Sequence, residues 1–299
     1  MLILFVLIGF GAVARKTKLV PESSIDGIVN LLILVVTPCL IIDAFQRPFE
    51  SGMLSGLGIT FVLAFFGHLA TIVAAYLLVR HHDENVRRPL QLSAVFSNAG
   101  FMGIPLEQAL LGNSGVFYGI IYIVVFNLFI WSWGYGVMSN SPRRGFNLKM
   151  VVNPGTVGLL VGLPLFFFSW RLPDVVFVPV HQMANLNTPL AMVVIGYCLA
   201  GARLGRVVKM GAVYMSIFIR LIAYPLAIIA VMYPFRHQLD RNMMLAVTIA
   251  ASAPVAAMVS MFASKFHRDV DVSVAMVSGT TLLSVITMPI VIALAMTVL

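Results

Sequence analysis

The chain has 299 residues, of which 60% are hydrophobic and only 10% are charged, with a formal net charge of +8. A soluble domain carries about 25% charged residues, so this composition excludes an ordinary soluble protein and indicates a membrane protein. There is room for about ten helices of roughly 20 residues joined by short loops. In chain order, the apolar segments that we interpret as membrane spans are 1–14, 24–45, 54–79, 89–111, 115–138, 154–170, 175–200, 210–234, 241–264 and 272–298.

The first segment is shorter than a membrane-spanning helix needs to be. Its helical residues cover roughly 21 Å of a hydrocarbon core about 30 Å thick. Either the bilayer is thinned around this helix or the natural chain begins upstream. The positive charges Arg15, Lys16 and Lys18 follow the apolar run instead of preceding it, which excludes a signal peptide.

Positive charge is concentrated in alternate loops. The odd-numbered loops contain Arg15, Lys16, Lys18, Arg80, Arg87, Arg88, Arg143, Arg144, Lys149, Arg203, Arg206, Lys209, Lys265 and Arg268. The even-numbered loops contain only Arg47, Arg171, Arg236 and Arg241. The positive-inside rule therefore predicts cytoplasmic odd loops and places both termini outside the cytoplasm. The basic excess is thus an orientation signal, and no interleaving of basic and aromatic residues suggests a nucleic-acid partner.

The two halves of the chain repeat one pattern of prolines. The paired landmarks are Pro21 and Pro173, Pro38 and Pro189, and Pro105 and Pro254, with offsets of 152, 151 and 149 residues. Each half has five spans, an odd number, so the second half must enter the membrane upside down. We therefore predict an all-α membrane protein of ten transmembrane helices in a 5+5 inverted repeat. The predicted units are a first repeat at 1–138, a cytoplasmic linker at 139–152 and a second repeat at 153–299.

Helices 4 and 9 are each predicted to be broken near the membrane centre, in the runs 97–105 and 250–254. Helix breakers at this depth are tolerated only inside protein or beside a polar cavity, and matched breaks in two repeats indicate a substrate site between them. Proline favours the first position of a helix, so we interpret Pro105 and Pro254 as the starts of the second half-helices. Each start presents free N–H groups and about half a positive charge, which favours an anion such as a carboxylate.

Small and polar residues around the breaks are the candidate substrate-binding groups. Asn98 either donates its amide to a carboxylate or only satisfies the broken backbone. Ser97 and Ser252 either contact the substrate or bond back to their own helices. Gly100 and Gly103 permit the close backbone approach that a crossing requires.

Ionisable residues within the spans form a second set of candidates, because a charge at the bilayer centre costs at least about 2.5–3.5 kcal/mol. His68 and Arg220 are 152 residues apart, so they occupy equivalent repeat positions and are expected near the crossover together. Arg220 can compensate negative helix ends, pair with Glu107 or Asp43, or offset the substrate. Glu107 either complements the helix dipole or has a coupling or gating role. His68 is either a satisfied interior histidine or a proton-coupling group, in which case His68→Gln would flatten the pH profile of transport.

Helices 2 and 7 carry further polar residues. They are Asn30 and Asp43 in helix 2 and His181, Gln182, Asn185 and Asn187 in helix 7. These side chains either contribute to a substrate cavity or hold helices together, and Asn127 in helix 5 has the same two interpretations. The two cysteines, Cys39 and Cys198, have no metal-binding or redox spacing and are interpreted as packing residues.

Other functional classes are disfavoured by what the chain lacks. It contains no HExxH, GxSxG or Cys/His cluster, so an enzyme, a metal site and a bound cofactor are not expected. A channel would need a polar stripe through the full membrane, whereas polarity here is concentrated at the middle. A membrane sensor or structural protein, the remaining alternative, would not need matched breaks.

The run from Ser97 to Leu106 resembles the helix-4 signature of the auxin efflux carrier family. Four further stretches are similar to that family, Arg15-Lys16 with Pro21-Glu22, Thr37-Pro38, the run 192–196 and the run 252–256. The resemblance implies the bile acid/sodium symporter-like arrangement, in which helices 4 and 9 cross at mid-membrane. It also implies a scaffold of helices 1, 2, 6 and 7 and a moving transport domain of helices 3–5 and 8–10. The long cytoplasmic loop of the plant exporters is missing, so a bacterial member in the inner membrane is expected.

A secondary transporter of small organic anions, working by an elevator mechanism, is therefore the expected function. Its partners would be the substrate, the lipid bilayer and a second copy bound through the scaffold helices. Efflux is favoured by the charge of the substrate and the membrane potential, with proton- or sodium-coupled import as the alternative. The chain has no cluster of deep carboxylates, which mildly disfavours sodium, while uniport and proton coupling stay open.

Overall fold

A computed structural model describes residues 2–48, 51–139, 154–201 and 210–299. In these residues every regular element is a helix, apart from one isolated pair of bridged residues. The α-helices are α1 Leu2–Lys16, α2 Glu22–Leu31, α3 Thr37–Ala44, α4 Ser51–Leu78, α5 Glu84–Val95, α6 Ile104–Leu111, α7 Asn113–Phe129, α8 Tyr135–Ser139, α9 Pro154–Phe167, α10 Asp174–Asn185, α11 Asn187–Ala200, α12 Gly211–Phe218, α13 Tyr224–Met232, α14 Arg241–Ser252, α15 Met258–Lys265 and α16 Val270–Val298. Wider π-helical turns at Leu32–Val36, Ala99–Gly103, Ile130–Gly134 and Ile219–Ala223 lead into α3, α6, α8 and α13.

The described helices confirm a multi-pass membrane protein. Six stretches are long and apolar enough to cross a bilayer, namely Gly27–Ala44, Gly52–Leu78, Asn113–Ser139, Asp174–Ala200, Gly211–Phe235 and Val270–Val298. The helix Pro154–Phe167 is apolar but shorter. The predicted linker 139–152 lies outside the described residues from position 140 onward, as do Arg203, Arg206 and Lys209.

Two spans contain a true interruption of the helix. α5 ends at Val95, three residues are non-helical, and the chain becomes helical again at the π-turn that starts at Ala99. α14 ends at Ser252, and α15 starts only at Met258. The prediction that a second half-helix starts at Pro254 is therefore wrong in position, whereas the α-helix after the first break starts at Ile104 with Pro105 in its first turn. Pro105 lies beyond the π-turn, whose wider spacing suits a residue without an N–H, and Pro254 lies inside the non-helical segment.

The prolines Pro38 and Pro189, in helices 2 and 7, do not break their helices to the same extent. At Thr37 and Pro38 the helix continues through the π-turn Leu32–Val36, so helix 2 is widened locally there and is not interrupted. Near Pro189, α10 and α11 are separated by a single residue, Leu186, which keeps a right-handed helical conformation. These two spans thus remain close to continuous.

Loop contacts define a first face of the protein, formed by loops 45–48, 112–114 and 168–173. Gln46 Nε2 donates to the carbonyl of Trp170 (3.3 Å), and Arg47 Nη1 donates to Ser114 Oγ (3.4 Å). Arg241, at the start of α14, donates to the carbonyl of Met296 near the chain end (2.8 Å). The described spans therefore alternate in direction along the chain.

The second face contains the opposite helix ends. Arg88 donates to the carbonyl of Val137 (2.9 Å), and Arg268 donates to Asn85 Oδ1 (2.7 Å). Glu84 lies beside this arginine cluster, and Arg88, with Arg87, holds the pKa of the Glu84 carboxyl below its usual range. Most of the described Lys and Arg residues outside the spans are at this face.

Glycines bring two helix pairs into backbone contact. A Cβ at Gly11 of α1 would lie 1.9 Å from the carbonyl oxygen of Val193, and one at Gly196 of α11 would lie 1.8 Å from that of Ile8. α9 packs in a similar way on α3, where a Cβ at Gly158 would be 3.0 Å from the Cα of Pro38. Only glycine permits α1 and α11 to approach so closely.

Candidate functional site

The two non-helical segments pair with each other at the centre of the molecule. Ser97 and Val255 form an antiparallel bridge, the N–H of Asn98 donates to the carbonyl of Pro254 (2.7 Å), and the N–H of Ala256 donates to the carbonyl of Phe96 (3.0 Å). The freed backbone groups of one break are thus satisfied by the other, as a membrane interior requires. The breaks in the predicted helices 4 and 9 are thus in direct contact with each other.

Arg220 neutralises the two helix ends that stop at this pairing. Its side chain is fully buried, with Nη1 donating to the carbonyl of Val95 (2.7 Å) and Nη2 to the carbonyl of Ala251. These carbonyls belong to the last turns of α5 and α14, where helix dipoles concentrate negative charge. Its guanidinium carbon also lies 4.8 Å from the ring centre of Tyr224. Of the three predicted roles for Arg220, the geometry shows the compensation of helix ends.

His68 lies near Arg220 but makes different contacts. Its Nδ1 donates to the carbonyl of Ala64 (2.8 Å), and its ring stacks on Phe129 with centres 5.4 Å apart. Nε2 has no hydrogen-bond partner within the described residues. The ring centre of Tyr122 is 5.3 Å away, and the hydroxyl of Tyr122 donates to that of Tyr224 (3.2 Å). His68 and Arg220 therefore flank one crossover, joined through two tyrosines.

Glu107 is a buried carboxyl in α6. Both of its oxygens lack a hydrogen-bond partner within the described part of the chain. Oε2 lies against α7, where a Cβ at Gly119 would be 1.7 Å from it, and Oε1 would be 3.8 Å from a Cβ at Gly103. Gly103 is also close to the backbone of Ala250 in α14, so this carboxyl is enclosed by small residues. A buried carboxyl without a hydrogen-bond partner is costly to place here.

A cavity of about 600 Å³ adjoins the paired breaks. Its lining residues include Ser97, Asn98, Gly100, Asn127, Thr281 and Cys198. The surface is mainly apolar, and no charged side chain of the described residues lines it. Its volume falls within the range of small-molecule sites, about 300–1,000 Å³.

The two resumed half-helices begin at the wall of this cavity. Asn98 precedes the π-turn, Ala257 precedes α15, and neither helix start is capped by a side chain. The first N–H groups of a helix have no partner inside it, and they carry the positive end of the dipole. The Asn98 side chain is half-buried beside them. The polar groups at the cavity wall are thus backbone N–H groups, amides and hydroxyls.

The predicted site residues separate into two groups. Ser97, Asn98 and Gly100 line the cavity, whereas Gly103, Pro105, Ser252, Pro254, Asn185 and Asn187 are not among its lining residues. Ser252 bonds back to the carbonyl of Ile249 (2.9 Å), and Asn187 is buried. Beside Asn187, Thr188 Oγ1 donates to the carbonyl of Pro105 (3.2 Å), which joins α11 to α6.

Sequence reasoning missed the contribution of α16. Thr280 Oγ1 accepts from the N–H of Val255 (3.0 Å), and Ser278 and Thr281 line the cavity. The available signal was the run Ser278-Gly279-Thr280-Thr281 in the middle of a span that is otherwise mostly apolar. Hydroxyls and a glycine at this depth fit a helix that packs against unwound backbone.

The cavity extends toward the second face. The first turn of α9, from Pro154 to Thr156, and the end of α11, at Cys198 and Leu199, both contribute to its lining. Of the described loops at the first face, none contributes a lining residue. On the first-face side, polar side chains join the helices instead. They are Asp43, His181, Asn113 and Gln108.

The paired breaks, the arginine that bonds to both helix ends and the adjoining cavity lie together at the centre of a membrane protein. Residues 1–292 match the profile of the membrane transport protein family. The chain belongs to this family. The resemblance to auxin efflux carriers is thereby confirmed, and the protein is a membrane transporter and not an enzyme.

A relative described as an uncharacterized transporter supports the same assignment. This protein of Methanothermobacter thermautotrophicus is 24% identical over 290 residues, which cover 95% of this chain and 93% of the relative. The similarity therefore extends over nearly the whole of both proteins.

Proposed function

We propose that this protein is a secondary transporter of small organic anions that have an apolar body and one carboxylate. The observation that carries the proposal is the cavity of about 600 Å³, which has two uncapped half-helix starts at one wall and an apolar surface elsewhere. Two dipole ends supply about one positive charge in total without a basic side chain. Asn98 adds an amide donor at the same wall.

The proposed architecture is a 5+5 inverted repeat that works as an elevator. The matched breaks support it, and so do the glycine contacts, because α1 packs on α11 in the way that α9 packs on α3. In the repeat these are equivalent pairs, helix 1 with helix 7 and helix 6 with helix 2. The scaffold would consist of helices 1, 2, 6 and 7, and helices 3–5 and 8–10 would carry the crossover across the membrane.

The proposed orientation has the second face in the cytoplasm. The second face has most of the described loop arginines and lysines, which the positive-inside rule assigns to the cytoplasmic side of a plasma or inner membrane. Both termini would then be outside the cytoplasm, and the cavity would open inward. An anion would be loaded from the cytoplasm and driven outward by the membrane potential, which favours efflux.

Transport in proteoliposomes tests this function. Purified protein is screened by thermal shift against mono- and dicarboxylates, and each hit is measured as radiolabelled flux with the potential, the pH and the sodium gradient varied separately. Efflux of an anion that follows the potential alone supports the proposal. Flux that requires a proton or sodium gradient supports the importer alternative, and preference for the amine analogue of a hit would refute the anion site.

A further inference from the structure

One buried carboxylate joins three elements on the first-face side of the molecule. Asp43 is near the end of α3, and its side chain is 2% exposed. His181 Nδ1 in α10 donates to Asp43 Oδ1 (3.0 Å), and Asn113 Nδ2, at the start of α7, donates to Asp43 Oδ2 (3.1 Å). Gln108 Nε2 in α6 then donates to Asn113 Oδ1 (3.1 Å). We refer to Asp43, His181, Asn113 and Gln108 as the Asp43 network.

The network connects the two groups of helices that enclose the cavity. α3 and α10 belong to the spans containing residues 22–44 and 174–200, and both spans line the cavity on one side. α6 follows the crossover directly and leads into α7, so these helices belong to the side that holds the break. Arg47 Nη1 makes a parallel connection to Ser114 Oγ (3.4 Å). The two sides are thus joined by polar contacts at the face opposite the cavity opening.

The contact beneath the network is mostly apolar, apart from the hydrogen bond of Thr188 to the carbonyl of Pro105 (3.2 Å). Leu106 of α6 is buried in a cluster with Met192, Val194 and Ile195 of α11. Apolar surfaces slide past one another at little cost inside a membrane, because lipid is as apolar as the partner helix. A buried carboxylate with two donors is different, since moving either donor leaves a charge unsatisfied.

We propose that Asp43 is the latch that keeps the first face closed while the cavity is open to the second face. This inference rests on the proposed alternating access. It names the contact that must break before the first face can open. Opening toward the first face would require Asp43 to release Asn113, so that α6 and α7 can move relative to α3 and α10. Weakening the latch therefore raises the population that is open to the first face.

Cysteine accessibility measures this population without any substrate. The chain has two cysteines, so Cys39→Ser and Cys198→Ser provide a background in which Leu106→Cys is the single thiol. Leu106 is 7% exposed in the closed arrangement and becomes accessible when α6 separates from α11. A second protein with Cys39→Ser alone reports on the opposite opening, because Cys198 is exposed and lines the cavity.

Asp43→Asn is expected to raise the rate of maleimide reaction at Leu106→Cys by about fivefold or more, the usual lower range of conformational coupling. In the companion protein the reaction at Cys198 should become slower or stay the same. Asp174→Asn is the matched control, because it removes an exposed carboxylate at the start of α10 without touching the network. It should change neither rate.

General loosening of the fold gives a different result, since it would accelerate both cysteines. Gly11→Ala, which disturbs the contact of α1 with α11, serves as a destabilised reference with an intact network. If Asp43→Asn does not yield folded protein, His181→Phe removes one donor to Asp43 and leaves the donor from Asn113 in place. Unchanged reaction at Leu106→Cys in a folded variant, or faster reaction at both cysteines, would overturn the latch. No substrate is used in this experiment. A carboxylate screen without hits would therefore count against the proposed substrate class but would not change the cysteine reaction rates.

Discussion

The backbone N–H of Asn98 and the carbonyl of Pro254 are joined by a hydrogen bond of 2.7 Å, although 156 residues of chain separate them. This bond and its neighbour from Ala256 to Phe96 use backbone groups that would otherwise be unpaired inside the membrane. The side chain of Asn98 is thereby left available to the cavity. Its role can be separated from that of the backbone by mutation.

Asn98→Ala should weaken the binding of a carboxylate substrate about tenfold or more. A hydrogen bond to a charged group contributes about 1.5–3 kcal/mol, and about 1.4 kcal/mol is a factor of ten in affinity. The backbone pairing with Pro254 is retained, so thermal stability in detergent should change little. A binding titration with the best thermal-shift hit measures the effect. Equal affinities of wild type and variant would show that the Asn98 side chain does not bind the substrate and that Asn98 only contributes to the backbone pairing.

Arg220→Met should lower the free energy of unfolding substantially. The substitution leaves the carbonyls of Val95 and Ala251 without their donor, and each buried unsatisfied acceptor costs about 1–3 kcal/mol. Arg241→Met is the control, because Arg241 is exposed and also donates to a helix-end carbonyl, that of Met296. Water replaces the donor there. Thermal unfolding followed by tryptophan fluorescence compares the variants, and equal melting temperatures would contradict the neutralising role.

Gly11→Ala should destabilise the protein, whereas Gly9→Ala on the same helix should not. The added methyl at position 11 would meet the backbone of Val193 at 1.9 Å, and backbone cannot rotate away. Overpacking of this kind costs about 1–3 kcal/mol. At Gly9 no atom lies within 4 Å, and alanine is the better helix former. Melting temperatures in one detergent decide the comparison, and similar losses at both positions would exclude a specific contact between α1 and α11.

Gly119→Ala should be destabilising only while Glu107 is present. Its methyl would collide with Oε2 of Glu107, and overpacking costs about 1–3 kcal/mol. In a Glu107→Ala background the collision is absent, so a double-mutant cycle should show a coupling of about 0.5–3 kcal/mol. Gly136→Ala, which meets no atom within 4 Å, is the control for a glycine substitution in the same span. Additive losses would show that Glu107 does not occupy the space in front of Gly119.

Much of the fold was predictable because membrane helices are defined by local composition. Apolar runs marked where the spans lie. Prolines marked both broken spans, but the matched prolines Pro38 and Pro189 lie in spans that stay nearly continuous. The point at which each broken helix resumes was not predictable. The π-turn Ala99–Gly103 accommodates Pro105 within a helix, and whether a proline starts a helix or is absorbed by a wider turn depends on the neighbouring backbone.

The candidate site was predictable only where residues are close in sequence. The run from Ser97 to Gly100 was identified because it interrupts an apolar span, and three of its residues line the cavity. Asn113 and Gln108 gave no signal, since Asn113 bonds to Asp43, 70 positions earlier in the chain, and Gln108 joins the network only through Asn113. For the same reason, the sequence could name three roles for Arg220 but could not choose among them.

The shared donation by Arg220 has a consequence for how the protein is made. Val95 belongs to the first half of the chain, and its donor is supplied by a residue that emerges from the ribosome after more than a hundred further residues. Until then the inserted first half has a broken helix whose end has no counter-charge. The centre of the protein can therefore close only after the second half has entered the bilayer. Newly synthesised first halves should accordingly depend on membrane insertion factors or rapid elongation to escape degradation.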